Sequence, residues 1–216
     1  MSREDEMPDS SSLGPTGQTG TSPPSAQTVT RRAIPTNPFA TIDVPGMRDD
    51  FYSQLISWSS QDMIAVSHLG GIMLWDRGSP DREVSYLHET TRIQDLSVNS
   101  IEFSNGGGIL AIGSWSGRIS IWDIETRIEV REIAPGRSSL GSQIQSLSWN
   151  QSILSSGGDD GEISHFDVRC GRAKVGGFQG HTEGVCGLKW RDDGKLLVSG
   201  CNGGSPSLGA QEIPVY

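Results

Sequence analysis

Positive charge is in short supply: 17 Lys and Arg stand against 26 Asp and Glu, a formal net charge of −9 over 216 residues. A nucleic-acid groove or an anionic lipid surface is bound through a surplus of basic side chains, so neither nucleic acid nor a membrane is expected as a partner. Nowhere does the chain run to about 18 consecutive apolar residues, and it shows no secretory h-region, so neither a spanning helix nor export is expected. Cysteine is scarce and odd in number. Cys170, Cys186 and Cys201 lack ligand-like pairing, which speaks for reduced thiols of an intracellular protein rather than for a disulfide framework or a metal site. The four histidines, His68, His88, His165 and His181, lie far apart, none beside Cys or Glu at metal-ligand spacing. Catalytic signatures are missing as well: there is no Gly-x-Ser-x-Gly elbow, and Gly106-Gly107-Gly108 lacks the helix and lysine of a phosphate loop. The expectation is a protein that is not an enzyme and needs no cofactor. Helical periodicity is absent too, and the remaining choice is all-β.

What the chain does contain is a repeat. Trp58, Phe103, Trp149 and Trp190 fall into one column with spacings of 45, 46 and 41 residues. A second column, Trp75, Trp122 and Phe166, is followed each time by Asp76, Asp123 or Asp167. The fullest copy is residues 179–202, QGHTEGVCGLKWRDDGKLLVSGCN. A period in the forties with Gly-His near its start and Trp-Asp near its end marks the WD-repeat β-propeller, in which each repeat forms one four-stranded blade. Within the second copy, residues 99–104, 109–113 and 118–123 are short β-branched and aromatic runs separated by Asn-Gly-Gly-Gly and Ser-Trp-Ser-Gly turns. The third copy reads the same way, with a turn at Asp159-Asp160-Gly161.

Three regions follow. Residues 1–33 are Ser, Thr, Pro and Gly with little to bury, and are expected to be a disordered tail. Residues 34–202 hold the repeats. Residues 203–216 show neither strand alternation nor the closing aromatic-Asp, and are expected to be a divergent C-terminal tail. The fold expected is therefore an incomplete WD-repeat propeller of about three and a half of seven blades. A closed seven-blade ring needs on the order of 300 residues of repeat, and 50–202 is about half of that, so a truncated product or a fragment of a longer chain is expected.

Residues 34–60, IPTNPFATIDVPGMRDDFYSQLISWSS, keep an extended course through Pro35, Pro38 and Pro45, with Ile34, Phe39, Ile42 and Met47 spaced as apolar anchors. This string resembles the segment leading into the propeller of the Fizzy-type activators of the anaphase-promoting complex. The resemblance continues through WSSQDMIAV (58–66), LSWNQSILSSG (147–157), FDVR (166–169) and GHTEGVCGLKW (180–190), and covers about residues 34–202. It implies a nuclear and cytoplasmic substrate adaptor that presents degron-bearing proteins to the subunits of a ubiquitin ligase. By the same resemblance, Ile42 and Val66 match the wall of the destruction-box pocket and Asp43 the partner of its arginine. Asp50 and Asn202 match the receptor for the Lys-Glu-Asn signal. His181 and Ser199 match the hydrogen-bonded brace of a blade.

Each assignment has a plainer reading. Asp43, Asp50 and Asn202 are all good turn residues, and Ile42 and Val66 would serve as core. Ser22, Ser79 and Ser205 precede proline and suit proline-directed phosphorylation, or are unmodified serines. The chain departs from the family pattern where Gly203 replaces the turn Asp. It also lacks the Asp-Arg-Tyr-Ile-Pro box in 1–33 and ends in Val215-Tyr216 instead of Ile-Arg, which argues against activation of the ligase by these residues alone. Three functions stay open: a degron adaptor of the ligase, a generic WD-repeat scaffold, and a non-functional partial propeller.

Overall fold

The computed structural model describes residues 34–69, 71–79, 84–87, 97–133, 142–171 and 173–203, and the backbone of residues 208–212. The tail 1–33 with its Ser22, and Ser205, lie outside the described residues. The chain divides into two compact units, Met1–Thr41 and Ile42–Tyr216, and every strand belongs to the second.

Among the described residues, four antiparallel sheets follow one another in sequence. The first holds β1 (Ile56–Trp58), β2 (Met63–His68), β3 (Gly71–Asp76) and β4 (Val84–Leu87). The second holds β5 (Val98–Phe103), β6 (Ile109–Ser114), β7 (Ile119–Asp123) and β8 (Ile128–Ile133). The third holds β9 (Ile144–Asn150), β10 (Ile153–Gly158), β11 (Glu162–Asp167) and β12 (Lys174–Gln179). The fourth holds β13 (Val185–Trp190), β14 (Leu196–Cys201) and β15 (Leu208–Glu212). The architecture is an incomplete WD-repeat propeller.

One strand departs from the sequence reading. Residues 208–212 were expected to belong to a tail without strand pattern, yet they pair with β14 from Leu196↔Glu212 to Gly200↔Leu208. The edge of β14 offers a row of main-chain N–H and C=O groups, and a segment can join such an edge through backbone bonds alone. The missing aromatic-Asp is thus no bar to a third strand.

The repeated Asp after the second aromatic column has a local cause. Asp76 accepts from the backbone N–H of Gly78 (2.8 Å) and Ser79 (3.1 Å), Asp123 from that of Thr126 (3.0 Å), and Asp167 from that of Arg169 (3.0 Å). Each carboxylate folds the chain into the turn that follows the third strand of its sheet. Hydrogen bonds from Arg169 hold the Asp167 carboxyl far below the usual carboxylate range. Ser79, described and half-buried, is engaged through its backbone in the first of these turns.

The core lies between sheets, not within one. Ile72, Leu74 and Leu87 of the first sheet pack with Ile101, Phe103, Leu110 and Trp122 of the second. The pattern recurs as Ile119 and Ile121 meet Leu147, Trp149 and Phe166, and as Ile163 meets Val185, Leu188, Trp190 and Leu197. Phe103, Trp149 and Trp190 are each 5% exposed, whereas Trp58 at the same repeat position is 56% exposed. The later three each lie against the sheet before them, and none of the described sheets precedes the first.

Buried hydroxyls stitch these faces together. Ser57 Oγ accepts from Phe103 N (3.0 Å) and Ser148 Oγ from Trp190 N (3.1 Å), an identical bond one repeat position before the aromatic. The Trp190 indole N–H donates to Ser155 Oγ (3.0 Å), and that hydroxyl pairs with His165 Nδ1 (2.8 Å). Burial, followed by the charge of Lys174, pushes the His165 imidazole below its ordinary value. Its Nε2 is enclosed without a partner among the described residues, so a second proton would be left unpaired.

Because the unfolded chain binds that proton more readily than the folded one, stability is fully present above the unfolded value of 6.5 and falls as pH drops below it. The thermal midpoint is expected to decrease between about pH 7 and about pH 5.5. His165→Gln should flatten that part of the profile; an unchanged slope would assign it to another group. A second prediction concerns Gly161, which turns β10 into β11 at φ +82° with its Cα facing the His181 carbonyl. Its own carbonyl accepts from Gly180 N (3.1 Å) and His181 N (3.2 Å), at the entry to the fourth sheet. Gly161→Ala adds a left-handed-backbone cost to a collision with main chain, and should destabilise by about 2 kcal/mol or more in a denaturant titration.

Candidate functional site

The segment that enters the propeller is laid down by its turn. Met47 N donates to Val44 O (3.4 Å) across Val44-Pro45-Gly46, and Leu69 N, just beyond β2, donates to Gly46 O (3.0 Å). These bonds place the segment beside the first sheet. Ile42 is half-buried, Asp43 is exposed, and Val66 is 5% exposed in the middle of β2, opposite Ile56 and Met73. Gly46, through its carbonyl, ties the segment to the residue that follows β2. The segment therefore offers an exposed carboxylate, Asp43, next to the half-buried Ile42, while Val66 is buried in β2.

Asp50 is not a lone carboxylate. Its Oδ2 accepts from Arg48 Nη2 (2.8 Å) and Ser53 Oγ (2.8 Å), and its Oδ1 accepts from Tyr52 N (3.0 Å). The Ser53 bond leads in holding its pKa below the ordinary range; burial opposes it, and Tyr52 N and Arg48 add to it. Ser53 also reaches Asn99 Oδ1 (2.7 Å), and Arg48 Nη1 reaches Val98 O (3.1 Å). Asp50 thus stands at the start of β5.

Asn202 stands at the corresponding end of another sheet. A single backbone bond recurs here: Trp115 N to Ser97 O (2.9 Å), Asp159 N to Gln143 O (3.0 Å), and Asn202 N to Gly184 O (3.0 Å). Each joins the end of a sheet's second strand to the residue just before its first, so Trp115, Asp159 and Asn202 occupy one equivalent position on one face. The innermost strands run the same way, as the parallel Gln54↔Ser100 bridge and the paired bonds Ser100 Oγ to Ile144 O (2.9 Å) and Ser146 Oγ to Val185 O (2.7 Å) indicate. Asp50 and Asn202 therefore share a face, the former next to the second sheet and the latter on the fourth.

Two residues of that face escaped the sequence reading. Trp115, 44% exposed in the β6–β7 turn, lies under the Arg48 guanidinium at 5.1 Å from the ring centroid. Its signal was available: it is a tryptophan off both aromatic columns, inside a Ser-x-Ser-Gly turn that has no structural need of it. Arg48 was visible only as a neighbour of the Asp49-Asp50 pair. The brace residues do come together: His181 Nε2 and Ser199 Oγ are 2.8 Å apart and both buried.

The model of the anaphase-promoting complex subunit 4 WD40 domain matches residues 56–152, and that of the WD domain, G-beta repeat, matches residues 172–205. The chain is 37% identical over 175 residues to the WD repeat-containing protein slp1 of Schizosaccharomyces pombe, covering 81% of this chain and 34% of that protein. It is 38% identical over 183 residues to cell division cycle 20.5, cofactor of APC complex, of Arabidopsis thaliana, covering 83% and 39%. It is 37% identical over 171 residues to the APC/C activator protein CDC20 of Saccharomyces cerevisiae, covering 79% and 27%. The chain thus spans about a third of the length of the curated relatives it matches. A chain in the crystal structure of the mitotic checkpoint complex superposes with a TM-score of 0.71 at 35% identity, over 83% of this chain and 52% of that one. With its two aromatic columns, its four serial sheets and these likenesses, the chain belongs to the Fizzy-type WD-repeat family of Cdc20 and Fizzy-related proteins.

Proposed function

We propose that the chain is a substrate-recruiting adaptor of the anaphase-promoting complex, a non-catalytic receptor for degron peptides working in the nucleus and cytoplasm. The observation that carries this reading is the placement of two carboxylates by one short segment. Asp43 is exposed on the side of the first sheet, and Asp50 is held at the strand ends, on the face that also carries Asn202. The first suits an Arg-x-x-Leu peptide lying extended along the sheet, its arginine on Asp43 and its leucine toward Ile42 and the Val66 side of β2. The second suits a Lys-Glu-Asn peptide, with its lysine on Asp50 and its polar groups toward Asn202. The partners are then degron-bearing substrates on one side and subunits of the ligase on the other.

Fluorescence anisotropy with one peptide of each kind tests this. Asp43→Ala should weaken the Arg-x-x-Leu peptide about tenfold and leave the Lys-Glu-Asn peptide alone, since each loses one charge-assisted contact. Asp50→Ala should do the reverse. Absence of binding by either peptide would leave a WD-repeat scaffold with other partners.

A further inference from the structure

Three groups converge near Asp50, and a fourth already fills the space between them. Asp50 Oδ2 lies 2.8 Å from Arg48 Nη2, the Val98 carbonyl lies 3.1 Å from Arg48 Nη1, and the indole of Trp115 faces the same guanidinium at 5.1 Å. A carboxylate, a backbone carbonyl and an aromatic face around one point form a recognition set for a cation. Trp115 contributes nothing to the core: it is 44% exposed, and its repeated backbone bond to Ser97 asks nothing of its side chain. The Arg48 side chain is itself 27% exposed, so the place it occupies opens to solvent.

We infer that Asp50, the Val98 carbonyl and the Trp115 ring form the lysine slot of the peptide face, with Trp115 as its wall, and that Arg48 occupies the slot in the free chain in place of the ligand's cation. The inference rests on the reading of Asp50 as a peptide-binding residue. A lysine carries a compact charge on a flexible apolar stem. Its ammonium takes the Asp50 oxygen that Arg48 gives up, and its stem lies along the indole. Arg48 is a competitor tethered two residues from Asp50, so it acts at high effective concentration. Apparent affinity for the peptide is therefore lowered to the extent that Arg48 keeps the slot filled.

The test uses the full chain, a fluorescent Lys-Glu-Asn peptide, and the same peptide with norleucine in place of lysine. Arg48→Gln is expected to tighten the lysine peptide roughly tenfold by removing the competitor. Adding Trp115→Ser to Arg48→Gln should lose roughly that tenfold again. In the parent chain Trp115→Ser should cost less, because it loosens Arg48 as well. The norleucine peptide, which keeps the apolar stem but lacks the ammonium, should show no tenfold gain from Arg48→Gln. Arg48→Leu keeps an apolar stem without the charge and should tighten binding likewise, which guards against a folding defect peculiar to Gln; thermal melting establishes that each variant is folded. The slot is overturned if neither Arg48 variant tightens binding, or if Trp115→Ser costs nothing in the Arg48→Gln background. If Asp50→Ala abolishes binding while the Arg48 and Trp115 variants change nothing, the slot fails and the peptide face stands. If the parent binds no lysine peptide, or Asp50→Ala leaves its binding unchanged, both fail.

Discussion

Among the described residues, each of the first three sheets is finished by the one that follows it. The Trp149 indole N–H donates to Glu102 O (3.0 Å) and the Trp190 indole to Ser155 Oγ, while Ser57 and Ser148 receive the main-chain N–H of the next aromatic. These are buried polar groups, and a buried hydroxyl is tolerable only when its partner is present. Ser148 and Ser155 are at most 1% exposed. The position of a neighbouring sheet is therefore specified to hydrogen-bond precision, beyond what apolar packing alone requires. Stability in such an array is a sum over interfaces between repeats, not a property of one repeat. Glu102 extends the same logic across the structure. From the second sheet its carboxylate accepts from Gln54 Nε2 (2.6 Å) just before β1, from Ser57 Oγ (3.2 Å) on the first sheet and from Lys189 Nζ (3.4 Å) on the fourth, and burial raises its pKa.

This dependence explains why the fold was legible in the sequence and where legibility stopped. The aromatic columns are a demand of every interface and the Asp after the second column a demand of every following turn, so both recur and can be seen as a period. β15 makes no such demand: it joins β14 through main-chain bonds, which leave no mark on side-chain choice. The His181–Ser199 brace was visible because it follows Gly180 in the repeat's opening pattern. His165 makes a similar bond to Ser155 from the strand β11, where nothing in the local string distinguishes it from a core residue. Trp58 carries the column's side chain yet stands half-exposed, because burial depends on a neighbouring sheet as much as on the residue.

The candidate site was legible in its charges and not in its neighbours. Asp43 and Asp50 stand out because a short Pro-rich segment has few carboxylates, and resemblance to a family supplied their roles. Arg48 and Trp115 meet only in three dimensions: one lies in the entering segment and the other in a turn of the second sheet, and no spacing rule links them. Physical reading of the sequence alone placed Trp115 in a turn because the flanking Ser and Gly supply one. Gly117, with φ +77°, closes that turn without any help from the indole.

Trp115 and Asn202, which the proposed receptor face uses, stand where the repeat's recurring bond is made by backbone alone. Each meets the repeat through one backbone N–H, whereas the Asp159 carboxylate also accepts from Gln143 N (2.9 Å) and Ser142 Oγ (2.8 Å). Loops held by a rigid scaffold are where binding groups accumulate for this reason. Here the three equivalent places hold an aromatic ring, a carboxylate and an amide, with Asp50 beside the first. Such a row is chemically uneven along its length, as a receptor for an extended peptide has to be if it is to read one residue after another in a fixed direction. Identical side chains at the three places would bind charge or bulk without register. In the proposed receptor, different ones let a rigid array of near-identical sheets distinguish the order of residues in a peptide.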